Sequence, residues 1–176
     1  KKKKTSEESA RFVGGRIGAE VVKVLFSMPR GNFETIASKT KMLKIPRRKP
    51  SREHLEEALE QVKAGPGKAG ATNWIFAKET VLLDARLQKE PVAEVEVQAV
   101  QLGPVILLTD PAEFFCQLGL DIKAGSPFPI TFPVSLANGC VGYVPTKEAS
   151  DKNGGGYETR LSSYSNLEIT AGPQMV

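Results

Sequence analysis

The chain reads Val-Ile-Leu-Leu-Thr-Asp-Pro-Ala-Glu-Phe-Phe at residues 105–115. Its first four residues form a short, continuous apolar run, which is typical of a strand buried on both faces. Pro111 suits the first turn of a helix, and the spacing of Phe115, Leu118 and Ile122 predicts that helix over 112–123. A buried strand that leads directly into a helix indicates an α/β fold.

Alternating sequence patterns predict further strands on both sides of this stretch. Before it, apolar residues from Val95 to Ala99 alternate with polar ones, which predicts a half-buried strand joined to 105–108 by a turn at Gly103-Pro104. After it, Phe132, Val134 and Leu136 alternate in a strand that we expect to stop at Asn138-Gly139. We therefore expect the three strands to lie in one sheet.

The N-terminal part of the chain predicts a helix followed by a strand. Thr5-Ser6-Glu7-Glu8 is a capping-box pattern, and apolar residues follow at helical spacing as far as Met28. Gly14, Gly15 and Gly18 would each weaken this helix by up to ~1 kcal/mol, so we expect them to pack closely against a sheet. β-Branched and apolar residues then predict a strand from Asn32 to Ile45.

Two helices are expected in the middle of the chain. Ser51 caps the first, whose inner face is Leu55, Ala58, Leu59 and Val62, and the second spans Trp74–Lys89 with Trp74, Ala77, Val81, Leu82 and Ala85 on one side. The Gly-rich stretch Ala64–Ala71 between them is expected to be a linker loop. It is no phosphate loop, because Ala69 follows Gly67-Lys68 where such loops have Ser or Thr.

Strands and helices interleave throughout, so the predicted class is α/β, a mixed β-sheet packed with helices in a single domain. A length of 176 residues suits one domain, with a basic tail at 1–4 and the domain at 5–176. The net charge of +4 equals that of the four N-terminal lysines. The only other basic cluster is Arg47-Arg48-Lys49, which has no aromatic residue within it, so we expect no nucleic-acid partner.

Two cysteines, Cys116 and Cys140, do not make a disulfide framework, and their spacing leaves pairing open. Free, buried thiols are the expected state. No apolar run approaches 18 residues, so no transmembrane segment is expected, and no signal-peptide pattern is present. The compartment stays open.

Four sequence blocks place functional side chains next to Gly or Pro, where the backbone can turn sharply. They are Asp110–Phe115, Ser126-Pro127-Phe128, Leu136–Thr146 and Gly154–Glu158. In their order along the chain and in their residue types, these blocks resemble the neutral/alkaline non-lysosomal ceramidase family and related bacterial ceramidase-like proteins. In that family a Pro-Gly-Glu turn is followed by an Asn with a Tyr five residues on, and then by a Tyr-Glu pair in a Gly-containing loop.

The matching positions in this chain are Glu113, Asn138 with Tyr143, and Tyr157 with Glu158. The resemblance implies a zinc-dependent amidase that cleaves the N-acyl bond of ceramide, a sphingolipid, with two His, one Glu and one Tyr as metal ligands. Glu113 and Tyr143 match the Glu and Tyr ligands, and Tyr157 matches a tyrosine of the substrate site. Ala112 replaces the family's Gly, and the two His ligands lie well upstream in the family, in a region that this chain does not contain.

Each of these residues also has an ordinary structural interpretation. Glu113 falls in the first turn of the predicted helix, where the helix dipole favours any acid. Tyr143 alone would be a core tyrosine, and Tyr157 would belong to a plain flexible loop. His54, the only histidine, lies next to the Ser51 cap, so a surface position is expected rather than a ligand role.

The resemblance thus implies the C-terminal part of a larger catalytic domain, that of a zinc-dependent amidohydrolase acting on ceramide or another N-acylated small molecule or lipid. Zn²⁺ would be bound in the complete enzyme and poorly by this chain, because the upstream half of the domain supplies the His ligands. The alternative is a non-catalytic ceramidase-like module without metal, and nucleic-acid binding is a distant third possibility. The true substrate and the oligomeric state stay open.

Overall fold

The structure is a computed structural model that describes residues 5–29, 31, 35–151 and 156–176. The basic tail at 1–4, the start of the expected strand at 32–34 and most of the Gly-rich loop before Tyr157 lie outside the described residues. The chain divides into two compact units, residues 1–33 and residues 34–176.

Unit 1 contains one long helix, α1 (Ser6–Ser27). The predicted capping box is confirmed: Glu8 N–H donates to Thr5 Oγ1 over 3.2 Å, and Thr5 N–H donates to Glu8 Oε2 over 2.9 Å. No residue of α1 is buried. The close packing expected at its three glycines is therefore not found within this unit.

Unit 2 is built on a mixed four-stranded sheet with the order β1-β2-β3-β5. β1 and β2 pair antiparallel over eleven residues each, β2 and β3 form the predicted hairpin, and β3 and β5 are parallel. The strands are β1 (Ile36–Pro46), β2 (Val92–Leu102), β3 (Val105–Thr109) and β5 (Ile130–Val134). The α/β class with a mixed sheet is confirmed.

A second, two-stranded parallel sheet pairs β4 (Ala112–Phe114) with β6 (Gly142–Val144). The prediction of a helix over 112–123 is wrong at its start, because α5 spans Cys116–Gly125. Asp110 Oδ1 accepts the Ala112 N–H over 2.9 Å and so forms a turn after which the chain stays extended. Pairing with β6 then keeps Glu113 in a strand, so the interpretation of Glu113 as a first-turn helix acid is also wrong.

The expected strand to Asn138-Gly139 ends earlier, at Val134. Leu136 and Asn138 have φ values of 57° and 61°, which lie outside strand geometry. Leu136 is exposed, so it does not continue the alternation of Phe132 and Val134. The chain instead turns here and approaches β6.

The middle of unit 2 is a helical hairpin made of α2 (Arg52–Ala64), the short α3 (Pro66–Ala69) and α4 (Ala71–Leu87). Ser51 caps α2 as predicted, with Oγ accepting the His54 N–H over 3.1 Å. The predicted loop between the helices contains α3, which begins at Pro66. In α4 the buried residues are Ala77, Thr80 and Leu83, whereas Leu82 and Ala85, predicted on the inner side, are exposed.

The hydrophobic core of unit 2 joins the ends of β1 and β2 to the small sheet and the C-terminal segment. Its buried members are Ile45, Ala93, Val95, Ala112, Leu118, Val144, Leu167, Ala171 and Met175. The last two belong to α6 (Ala171–Met175), where a Cβ on Gly172 would lie 2.8 Å from both Leu118 methyl groups. The small sheet is thus fixed against the large one by packing.

Both cysteines are free, as expected. Both are exposed, so the expectation that they are buried is wrong. Among the helices that the structure describes, none has the length and apolar character needed to cross a membrane.

Candidate functional site

Glu113 and Tyr143 are register partners on the two parallel strands of the small sheet. Their neighbours Ala112 and Val144 are 0% and 1% exposed and belong to the core. Because side chains alternate along a strand, Glu113 and Tyr143 lie together on the opposite face. The small sheet therefore presents a carboxylate beside a phenol.

The hydroxyl of Tyr143 connects three side chains. Its oxygen lies 3.4 Å from the hydroxyl oxygen of Tyr157, and the Glu113 carboxylate is near enough to raise its pKa. The rings of Tyr143 and Tyr157 pack edge to face, with centroids 5.7 Å apart and planes at 83°. The structure thus brings together Glu113, Tyr143 and Tyr157, the three residues singled out from the sequence.

Tyr164 is a further member of this cluster. Its ring also packs edge to face on Tyr143, with centroids 6.3 Å apart and planes at 78°. The sequence contains three tyrosines, so every tyrosine of the chain lies in this cluster. We call Glu113, Tyr143, Tyr157 and Tyr164 the tyrosine cluster.

A close backbone approach holds β6 next to Tyr164. The Tyr143 N–H donates to the Tyr164 carbonyl over 2.8 Å. Gly142 has φ = 86°, and a Cβ built on it would lie 2.0 Å from the Tyr164 carbonyl oxygen. Only glycine fits this position, because any other residue would collide with the backbone and strain its own.

Asn166 organises the turn that carries Tyr164. It is fully buried, its Nδ2 donates to the carbonyls of Ser162 (3.1 Å) and Ser163 (2.7 Å), and its Oδ1 accepts Arg47 Nη1 over 2.6 Å. Burial lowers the pKa of Arg47, and Glu90 partly opposes that effect. The turn is therefore tied to the end of β1 by satisfied buried polar groups.

The electrostatics of the cluster favour a protonated Tyr143. Its interactions, first with Tyr157 and then with Glu113, raise the pKa of the Tyr143 phenol above its ordinary value of 10. Burial raises the pKa of Tyr164, and the negative charge of Glu79 adds to this. At neutral pH Tyr143 is accordingly a neutral phenol beside a carboxylate.

Asp110 lies at the turn before β4 and is 3% exposed. Burial raises its pKa to about 6, although the Ala112 N–H and the Ser135 hydroxyl favour its charged form. A buried carboxyl that orients the backbone at the start of β4 also sets the position of Glu113.

The donor set of the cluster suits half of a zinc site. A carboxylate oxygen and a phenol oxygen are competent ligands, but catalytic zinc takes three or four protein or water donors, mostly His and carboxylate. No group of three or more His, Cys, Asp or Glu residues that could bind a metal is found among the described residues. The fit is therefore to Glu113 and Tyr143 only, with further ligands needed from elsewhere.

His54 and Asn138 have other roles. His54 is exposed, as predicted, and its Nε2 lies 3.3 Å from Thr80 Oγ1. Asn138, which matches a position of the family pattern, donates to Glu96 Oε1 over 2.9 Å.

Sequence reasoning missed Tyr164 and Asn166. A signal was available, since both lie in a Ser-Ser-Tyr-Ser-Asn run, where turn-forming residues surround one aromatic. The contact with β6 is a long-range pairing that this pattern does not encode.

No profile of a known protein family matches the chain, and neither a curated protein sequence nor a solved structure does.

Proposed function

We propose that the chain is part of a zinc-dependent amidohydrolase that hydrolyses the N-acyl bond of ceramide or a related N-acylated substrate. The observation that supports this is the register pairing of Glu113 with Tyr143, with the Tyr157 hydroxyl 3.4 Å from that of Tyr143. These residues are up to 44 positions apart in the sequence, and each matches a position of the ceramidase-like pattern. Their convergence is not required by the hydrophobic core, which lies on the other face of the small sheet.

Each residue has a distinct role in this proposal. Glu113 would provide an anionic oxygen ligand, held in place by its strand. Tyr143 would provide the second ligand, a phenol oxygen on the neighbouring strand. Zinc, when bound, would activate water and polarise the amide carbonyl. Tyr157 would donate its hydroxyl hydrogen to the substrate amide or to the oxyanion that develops there.

Two His ligands would come from the upstream half of the same domain. The 176-residue chain should bind zinc poorly on its own, because two oxygen ligands form a weak site at neutral pH. After dialysis, metal analysis of this chain should give well below one zinc per molecule. Stoichiometric zinc in this chain would contradict the need for an upstream half.

The decisive experiment uses the polypeptide that includes the upstream half. Zinc content and hydrolysis of N-acyl sphingosine, or of a panel of N-acylated amines, should be measured for wild type, Glu113→Gln and Tyr143→Phe. We expect both variants to lose zinc and at least ~100-fold in turnover, because a lost ligand changes both metal affinity and the reactivity of the bound water. Tyr164→Phe is a matched control that keeps every proposed ligand.

The alternative is a ceramidase-like module without metal. One observation favours it: the Tyr143 hydroxyl already has a protein partner, the hydroxyl of Tyr157. Full metal occupancy and normal turnover in both variants would assign these residues a structural role. Absence of zinc and of hydrolysis in the longer wild-type polypeptide would favour the module.

A further inference from the structure

The segment from Tyr157 to Asn166, which carries two tyrosines of the cluster, contacts helix α4 at two points. The guanidinium carbon of Arg160 lies 3.8 Å from the centroid of the Phe76 ring. The hydroxyl of Ser163 donates to the Glu79 carboxylate. A cation–π contact and a charge-assisted hydrogen bond thus connect this segment to the helical hairpin.

The two contact residues of α4 share one face of the helix. Phe76 and Glu79 are three residues apart, which places their side chains one above the other. The helix itself is well anchored, because Thr80 and Leu83 are buried and Trp74 Nε1 donates to the Val62 carbonyl over 3.3 Å. The face that receives Arg160 and Ser163 is therefore a rigid platform.

The connection continues from Ser163 to the metal-ligand candidate Tyr143. Ser163 directly precedes Tyr164, whose carbonyl accepts the Tyr143 N–H over 2.8 Å and whose ring packs on that of Tyr143. The Ser162 and Ser165 backbones bond to each other, over 3.2 Å and 3.4 Å, so the turn moves as one piece. A displacement at Ser163 would therefore move Tyr164 and disturb Tyr143.

We propose that Glu79 is a positioning residue that fixes the Ser162–Ser165 turn and, through Tyr164, the orientation of Tyr143 in the tyrosine cluster. The inference rests on the proposed function only for what the cluster does. Its test concerns the geometry of the cluster in this chain, so it succeeds or fails independently of zinc binding and amide hydrolysis.

The composition of the chain provides separate reporters for the two ends of this connection. The single tryptophan, Trp74, lies on α4, whereas all three tyrosines lie in the cluster. Tryptophan emission excited at a wavelength that tyrosine does not absorb reports on the hairpin. NMR of ¹³C-labelled tyrosine rings reports on the cluster alone.

The variants are Glu79→Ala, which removes the acceptor, and Glu79→Gln, which keeps an acceptor oxygen of nearly the same shape. Glu60→Ala is the matched control, because Glu60 lies on the same hairpin and pairs with exposed Lys63. In Glu79→Ala we expect shifted or broadened ring signals for Tyr164 and Tyr143 with unchanged Trp74 emission. Glu79→Gln should restore the wild-type ring signals, and Glu60→Ala should match wild type throughout.

Wild-type ring signals in Glu79→Ala would overturn the inference, as would a Glu79→Gln variant as disturbed as Glu79→Ala. If Glu79→Ala also changes Trp74 emission, the hairpin itself has been damaged, and Ser163→Ala becomes the deciding variant. That change removes the same hydrogen bond from the side of the turn. It should disturb the tyrosine signals with the hairpin intact, and unchanged tyrosine signals would again reject the role of Glu79.

Discussion

The β1–β2 ladder and the β4–β6 pair both pack into the hydrophobic core, but they differ in length and in the further contacts that hold them. β1 and β2 pair over eleven residues each, and apolar burial at Ile45, Ala93 and Val95 fixes one end of the ladder. The β4–β6 pair has only three residues per strand. Its position depends on a backbone approach at Gly142 and on the turn organised by Asn166.

The comparison teaches where sensitivity to substitution lies. A long ladder spreads its stability over many pairs, so single surface changes cost little. A three-residue pair that contacts a polar turn has few contacts, each of which is needed. The candidate site lies on the short β4–β6 pair, so its geometry should respond to substitutions that leave the large sheet intact.

The largest expected effect is that of Gly142→Ala. The new methyl carbon would lie 2.0 Å from the Tyr164 carbonyl oxygen, at a residue with φ = 86°. Backbone strain and loss of the Tyr143–Tyr164 hydrogen bond should together lower the free energy of unfolding by about 3–5 kcal/mol. Urea denaturation measures this directly.

Gly65→Ala is the matched control for this variant. Gly65 has φ = 78°, but a Cβ there would meet no atom within 4 Å. With ψ at 168° the residue lies in a region that essentially only glycine adopts, so Ala should cost backbone strain alone, about 1–3 kcal/mol. Equal losses in the two variants would show that contact with Tyr164 contributes nothing to the stability of the small sheet.

The large sheet could be predicted from the sequence because its signals are local. Alternation in β2 and the Gly103-Pro104 turn define the hairpin without knowledge of distant residues. The pairing of β4 with β6 could not be predicted, because three residues are too few for a period to be recognised. Pro111 also resembled a helix start, while the contact that keeps Glu113 in a strand comes from Gly142–Val144.

The candidate site was predictable as a set of residues but not as a geometry. Glu113, Tyr143 and Tyr157 were selected by their resemblance to a family pattern, and their roles as ligands or substrate contacts stay predictions. Tyr164 and Asn166 act through backbone carbonyls and a buried amide, which a side-chain pattern does not reveal.

An intermediate effect is expected for Asp110→Asn, which tests the turn before β4. The amide keeps an oxygen to accept the Ala112 N–H, and it removes a buried charge. At pH ~7.5 the variant should be more stable than wild type by about 1–2 kcal/mol, less than the full electrostatic cost because the amide must also be desolvated.

The pH dependence of this effect has a definite sign. The folded-state pKa of Asp110 is raised from 3.8 to about 6, so the folded protein binds more protons than the unfolded chain between these values. Wild type should therefore lose stability relative to Asp110→Asn as the pH rises from about 4 to about 6. An advantage of Asp110→Asn that is equal at pH ~4 and pH ~7.5 would contradict the assignment.

The smallest effect on stability is expected for Tyr143→Phe, which sharpens the comparison at the site itself. The ring remains, so the edge-to-face contacts with Tyr157 and Tyr164 should persist and the free energy of unfolding at neutral pH should change little.

The titration of the chain should change clearly, because Tyr143 has a pKa raised by Tyr157 and Glu113. A tyrosine with a raised folded-state pKa contributes stability below its ordinary pKa of about 10, and this contribution is lost as the pH rises further. Tyrosinate absorbance should therefore lose its most alkaline step in Tyr143→Phe, and Tyr157→Phe, which removes the first partner, should move that step to lower pH. If the alkaline step is unchanged in Tyr143→Phe, that step does not belong to Tyr143, and the Tyr143 hydroxyl is not held by its neighbours in solution.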